Sequence, residues 1–141
     1  MRFNLMSLRP ALFAAMYRRR FGSSVPISFK QEPALAVDHL FVGSVDALPP
    51  QYLAQLSFGN CVARTDAAAT HRLLMARPWS DAEDAALPAV AKAMGNCLSD
   101  EKSLRLTRST ARGLVAEAMY HLASGRAAGA VTADAVTTKG R

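Results

Sequence analysis

Acidic residues are absent from the first 31 positions of this chain, a stretch that holds Arg2, Arg9, Arg18, Arg19, Arg20 and Lys30. That imbalance supplies much of a formal net charge of +6 over 141 residues. A basic chain permits an anionic partner without demonstrating one. Aromatic residues are scarce at 7%, with a single tryptophan, although half the composition is hydrophobic. Alanine fills much of that half. Alanine is the best helix former, whereas strands draw on β-branched and aromatic residues, so the composition favours helix over sheet. Long apolar runs are missing too: none approaches the roughly 18–20 residues of a membrane-crossing helix. There is no Gly-rich phosphate loop, helix-turn-helix glycine pattern or RNA-binding signature. Cys-x-x-Cys is absent, and His39, His71 and His121 are not at ligand spacing to either cysteine, which speaks against a metal site.

What is present is a length suited to one domain, enough to bury an ordinary core without a metal. The only two cysteines stand in identical tripeptides, Gly59-Asn60-Cys61 and Gly95-Asn96-Cys97, each bracketed by apolar residues (Phe58 and Val62, Met94 and Leu98). Two matching pockets point to one disulfide, Cys61 to Cys97, tying two helices and implying an oxidising compartment. Two buried free thiols in a cytosolic protein are the alternative. An apolar bracket is a poor setting for a reactive thiolate, so a cysteine-dependent enzyme is the weakest reading.

Hydrophobic periodicity predicts a mainly α chain, a small bundle of about four to five helices. Leu8, Ala11, Leu12, Ala15 and Met16 form one stripe of a first helix from about Leu8 to Arg20. Ser7 can cap it, Pro10 lies in its first turn, Arg18, Arg19 and Arg20 complement its dipole, and Gly22 ends it. Residues 23–49 read as an irregular linker packed on the domain, with a short strand allowed at 37–45. A short helix follows Pro50 and ends at Gly59, with Tyr52, Leu53 and Leu56 inward. Asp66 caps a helix through Met75, with Ala69, Leu73 and Leu74 inward. Ser80 and Glu83 form a capping box for a helix to about Met94. Leu87, Val90, Ala91 and Met94 face inward there, and Pro88 should kink the helix or shift its start. The strongest pattern is Ala111, Leu114, Val115, Ala118, Met119 and Leu122, a last helix from about Thr110 to Ala123. Residues 125–141 carry no periodicity and read as a disordered tail.

The first and last helices superimpose with an offset of 103: Arg9 on Arg112, Leu12 on Val115, Ala15 on Ala118, Met16 on Met119, Tyr17 on Tyr120. This suggests an internal repeat. Residues 1–22 would be the closing helix of a partial first repeat and 50–124 a helical repeat domain. Leu12 and Met16 should then be as buried as Val115 and Met119.

The segments Phe58-Gly59-Asn60-Cys61-Val62-Ala63-Arg64-Thr65-Asp66, Leu73-Leu74, Ser80 to Glu83, Gly95-Asn96-Cys97-Leu98, Leu104-Arg105-Leu106 and Arg112 to Tyr120 together resemble a family of small, uncharacterised exported proteins of alphaproteobacteria. Members usually carry a signal peptide and two such repeats. The resemblance covers about half the chain directly and residues 4–20 by way of the repeat. It implies a helical, disulfide-bearing periplasmic domain and no activity. The chain departs from the pattern at its front. Pro10 to Tyr17 is a short apolar stretch running straight into three arginines, not the h-region and cleavage site of a signal peptide.

The charged residues admit bland readings. Arg9, Arg18, Arg19 and Arg20 could hold an anion such as phosphate, or simply complement a helix end. Glu117 and His121, four apart, would make a solvated helix-face contact. Arg112 can pair with Asp100 or Glu101, and Trp79 reads as a packing plug at a corner. No cofactor is expected. The function expected is a non-enzymatic, structural or protein-interaction role in the cell envelope, periplasmic or secreted, with another envelope protein as partner. The alternative is a cytoplasmic basic protein binding nucleic acid through its N-terminal arginines.

Overall fold

The computed structural model of the chain describes residues 5–24, 28–33, 48–98 and 106–138, with side chains described only outside 5–7 and 126–138. Five helices and no strand occur among these residues: α1 (Leu5–Phe21), α2 (Pro50–Thr65), α3 (Ala67–Met75), α4 (Asp81–Cys97) and α5 (Arg108–Thr138). The strand allowed at 37–45 lies outside the described residues.

Local chemistry sets most helix boundaries. Pro50 occupies the first turn of α2, where a missing N–H costs nothing. Asp66 ends α2 and starts α3: its N–H donates to Val62 O, and its carboxylate accepts from Ala69 N at 2.9 Å. Ser80 caps α4 by accepting from Glu83 N, as the capping box predicts. The glutamate reaches back one residue further than expected and accepts from Trp79 N at 2.8 Å. Pro88 lies inside α4, which continues through it.

Four boundaries differ from the sequence expectation. Helix α1 begins at Leu5, so Ser7 lies inside it and is not its cap. Helix α2 does not stop at Gly59 but runs through the first Gly-Asn-Cys to Thr65, and α4 runs through the second to Cys97. Glycine is no compulsory stop when its place on the helix is wanted for packing. Helix α5 keeps helical backbone to Thr138, beyond the expected end at Ala123. Alanines at 127, 128, 130, 133 and 135 supply helix propensity there without an apolar stripe.

The core gathers Val62, Leu73, Leu74, Val90, Val115 and Met119 from α2 to α5, with Tyr17 of α1 and Phe29 of the segment before α2. Cys61 and Cys97 are joined with their Cα atoms 5.9 Å apart, so the bridge ties α2 to α4 across the intervening α3. It is thus not a clamp on two successive helices. Two glycines let helices approach closely. A Cβ on Gly59 would lie 2.6 Å from Leu114 O, and one on Gly113 would overlap Pro10. Gly95 has open space around it, so the two matching tripeptides sit in unlike surroundings.

Helix α1 packs most extensively on α5, but with a different face from the one its aliphatic residues predict. Ala14 and Tyr17 are buried and Phe13 and Phe21 partly so, whereas Leu8 is 49% and Leu12 53% exposed. Val115 and Met119 are fully buried, so the equality expected between them and Leu12 fails. The aromatic face carries more area to bury, and its one polar tip is satisfied: Tyr17 Oη lies 2.8 Å from His71 Nδ1. The aliphatic stripe of Leu8, Ala11, Leu12 and Ala15 is left facing outward.

Candidate binding site

Arg112 organises the middle of the molecule. It lies on the apolar stripe of α5, and a guanidinium buried there must find several acceptors. It finds four. Nη1 donates to Glu83 Oε1 at 2.6 Å and Leu73 O at 2.7 Å, and Nη2 donates to Leu74 O at 3.0 Å and Ala76 O at 2.5 Å. The three carbonyls belong to the C-terminal end of α3, whose last oxygens have no partners within the helix. Arg112 therefore caps α3 from another helix. Burial works against its charge and Glu83 supports it.

Glu83 is buried at 2% exposure and joins three elements. One oxygen holds Arg112, and the other accepts from Trp79 N and lies 3.0 Å from Arg108 Nε. Arg108 also pairs with exposed Asp84 and stacks on the Trp79 ring, its Cζ 5.0 Å from the centroid. Trp79 is the one non-glycine residue at positive φ among the described residues, with φ 61°, and is 73% exposed. The expected packing plug is instead a ring held out to solvent. The backbone strain is held by the bond from its N–H to Glu83.

Beside this network lies a cavity of about 230 Å³, bounded by Pro10, Ala14 and Arg18 of α1, Pro78 and Trp79 of the α3–α4 loop, and Arg108 and Arg112 of α5. Three arginines and one glutamate line it, a net charge of +2.

The four arginines suggested as one anion site are spread over separate places. Arg18 faces the cavity. Arg9 lies against α5, its Nη2 donating to Glu117 Oε1 at 2.6 Å. Arg20 reaches Tyr120, with Nη1 3.4 Å from its Oη, and lies over the Phe21 and Tyr120 rings. Arg19 is exposed. Glu117 is buried at 2% and held by Arg9, so the solvated Glu117–His121 contact is corrected to a buried ion pair. His121 packs against Phe13 and Tyr120, and its Nε2 finds no hydrogen bond among the described residues. Asp100, Glu101 and His39 lie outside the described residues, and Arg112 takes Glu83 as its partner. Among the described residues, no three His, Cys, Asp or Glu side chains converge as metal ligands, and no helix is long and apolar enough to cross a membrane.

The Glu83–Arg108–Arg112 network is what sequence reasoning missed. Its signal was an arginine in phase with Val115 and Met119 on the strongest apolar stripe. A charge in that phase demands a buried acid. No family model, curated protein or solved structure matches this chain.

Proposed function

We propose that this protein is a non-enzymatic, disulfide-tied helical module of the cell envelope that works by binding another protein. The observation that carries this is the outward face of α1: Leu8, Ala11, Leu12 and Ala15 form a continuous exposed apolar stripe, followed by exposed Arg18, Arg19 and Arg20. A stripe with a cationic end suits an apolar partner surface flanked by acidic residues. The joined cysteines support an oxidising compartment. The buried charges are saturated by one another, which supports a structural role for them. The resemblance to exported alphaproteobacterial proteins points the same way. We also infer that α1 and α5 are counterparts in an internal repeat. Pro10 and Gly113, equivalent at the offset of 103, meet where the helices cross, which supports the pairing.

A photoreactive amino acid at Leu12, used in the native cells, tests the reading. The expected product is a discrete adduct with an envelope protein, absent when the probe replaces exposed Lys92 on α4. Equal labelling from both positions would overturn the proposal.

The cytoplasmic alternative is favoured by the exposure of Arg18, Arg19 and Arg20 at one helix end. It requires salt-sensitive binding to non-specific DNA that vanishes when all three become alanine. An adduct with nucleic acid at position 12 would also support it.

A further inference from the structure

We propose that the cavity between α1, the α3–α4 loop and the start of α5 is a binding site for a small amphipathic oxyanion, an apolar body carrying one carboxylate or phosphate. This goes beyond the docking role of α1 and stands or falls separately from it.

Size is the first consideration. At about 230 Å³ the cavity is smaller than the roughly 300–1,000 Å³ of sites for drug-sized ligands, so it fits a molecule of few atoms. Its walls are of two kinds. Pro10, Ala14 and the Trp79 ring offer apolar surface, and Arg18 and Arg108 offer guanidinium groups. Such a wall pairs an aromatic or aliphatic body with an oxyanion.

The charge is the second. Arg112 is engaged by Glu83 and three carbonyls, and Arg108 by Glu83, Asp84 and the Trp79 ring. Arg18 has no such carboxylate among the described residues, and its charge is close enough to act unfavourably on that of Arg112. Like charges facing one cavity are relieved by an anion between them.

The backbone is the third. Trp79 is held at φ 61°, a conformation strained for any residue with a Cβ, and its ring is mostly in solvent. Glycine would remove that strain and the ring together. Strain of this kind gathers at ligand clamps. Here Glu83 and Arg108 fix the ring as one wall of the cavity.

Titration calorimetry with phenylacetate and phenyl phosphate tests the site on the full-length oxidised protein. Trp79, the single tryptophan of the chain, reports occupancy through its emission. One or both anions should bind saturably and change that emission, and the stronger of the two identifies the preferred oxyanion. 2-Phenylethanol, acetate and phenethylamine should each bind at least about tenfold more weakly, as expected when apolar and charged contacts are both required. Arg18→Ala should weaken anion binding about tenfold at an unchanged melting temperature, while Arg19→Ala should leave binding intact. No saturable binding of either anion would overturn the site, as would equal binding of phenethylamine or no effect of Arg18→Ala. Conversion of a probe to product, read by NMR, would keep the site and overturn the non-enzymatic reading.

Discussion

Arg112 presents five N–H donors while buried, and its partners come from the C-terminal end of α3 and from Glu83 of α4. Removing it leaves one Glu83 oxygen and three carbonyls at the end of α3 without their donor. Arg112→Leu should therefore cost about 3–5 kcal/mol in denaturant unfolding, the range for breaking one side of a buried pair. A loss under about 1 kcal/mol would mean water reaches the network. His71 provides a second residue-scale test. Its pKa is lowered, by burial first and by Arg72 second, so the folded chain keeps it neutral at a pH where the unfolded chain binds a proton. Stability is then complete above about pH 6.5 and declines as the pH falls from there toward the folded-state value. The melting temperature should drop between pH 7.5 and 5.5, and His71→Gln should shrink the drop; an identical drop in that variant would assign the acid sensitivity elsewhere. At this scale the sequence is legible where a residue contradicts its helix. Arg112 on an apolar stripe signals a buried acid but does not say which, because Glu83 lies 29 positions away and its capping role hides its second use.

Helix existence was readable from spacing, and helix orientation was not. All five helices follow from periodicity and caps, and Asp66 and Ser80 cap as expected. The buried face of α1 could not be read because two stripes share that helix. One is aliphatic, Leu8 with Leu12, and the other aromatic, Phe13 with Tyr17 and Phe21. Only the facing residues, His71, Tyr120 and the bare backbone of Gly113, decide between them, and they are distant in sequence. The glycines make the same point. Gly59 and Gly95 stand in identical tripeptides, yet the first permits α2 to lie against Leu114, whereas a Cβ on the second would meet open space. Gly59→Ala should destabilise by about 1–3 kcal/mol, the usual effect of forcing bulk into a packed contact. Gly95→Ala should stabilise by up to about 1 kcal/mol through helix propensity alone. Paired thermal melts check both, and a matching effect at the two sites would contradict the packing difference.

For the molecule as a whole, the bridge between Cys61 and Cys97 spans 36 positions and encloses all of α3 and nearly all of α4, leaving α1 and α5 outside the ring. Closing a loop of that length stabilises by roughly 3–4 kcal/mol in the chain-entropy model. Reductant should lower the melting temperature by on the order of 10 °C, given about 2–4 °C per kcal/mol for a chain of this size. An unchanged melt would show that non-covalent packing alone holds α2 against α4. Pairing and the intervening α3 were legible, but the placement of both cysteines within helices was not, because Gly59 and Gly95 read as helix ends when both helices continue past them. The ring also has a mechanical meaning. Pulled by its two ends, the oxidised chain cannot pay out the residues between the cysteines, so force bypasses α3 and α4 through a single covalent bond. Its full extension should fall short of the reduced chain's by roughly 120 Å, taking about 3.3–3.6 Å per stretched residue. The helices that carry the exposed stripe and the cavity arginines would then be the ones that yield to load, while the ring beneath them stays tied.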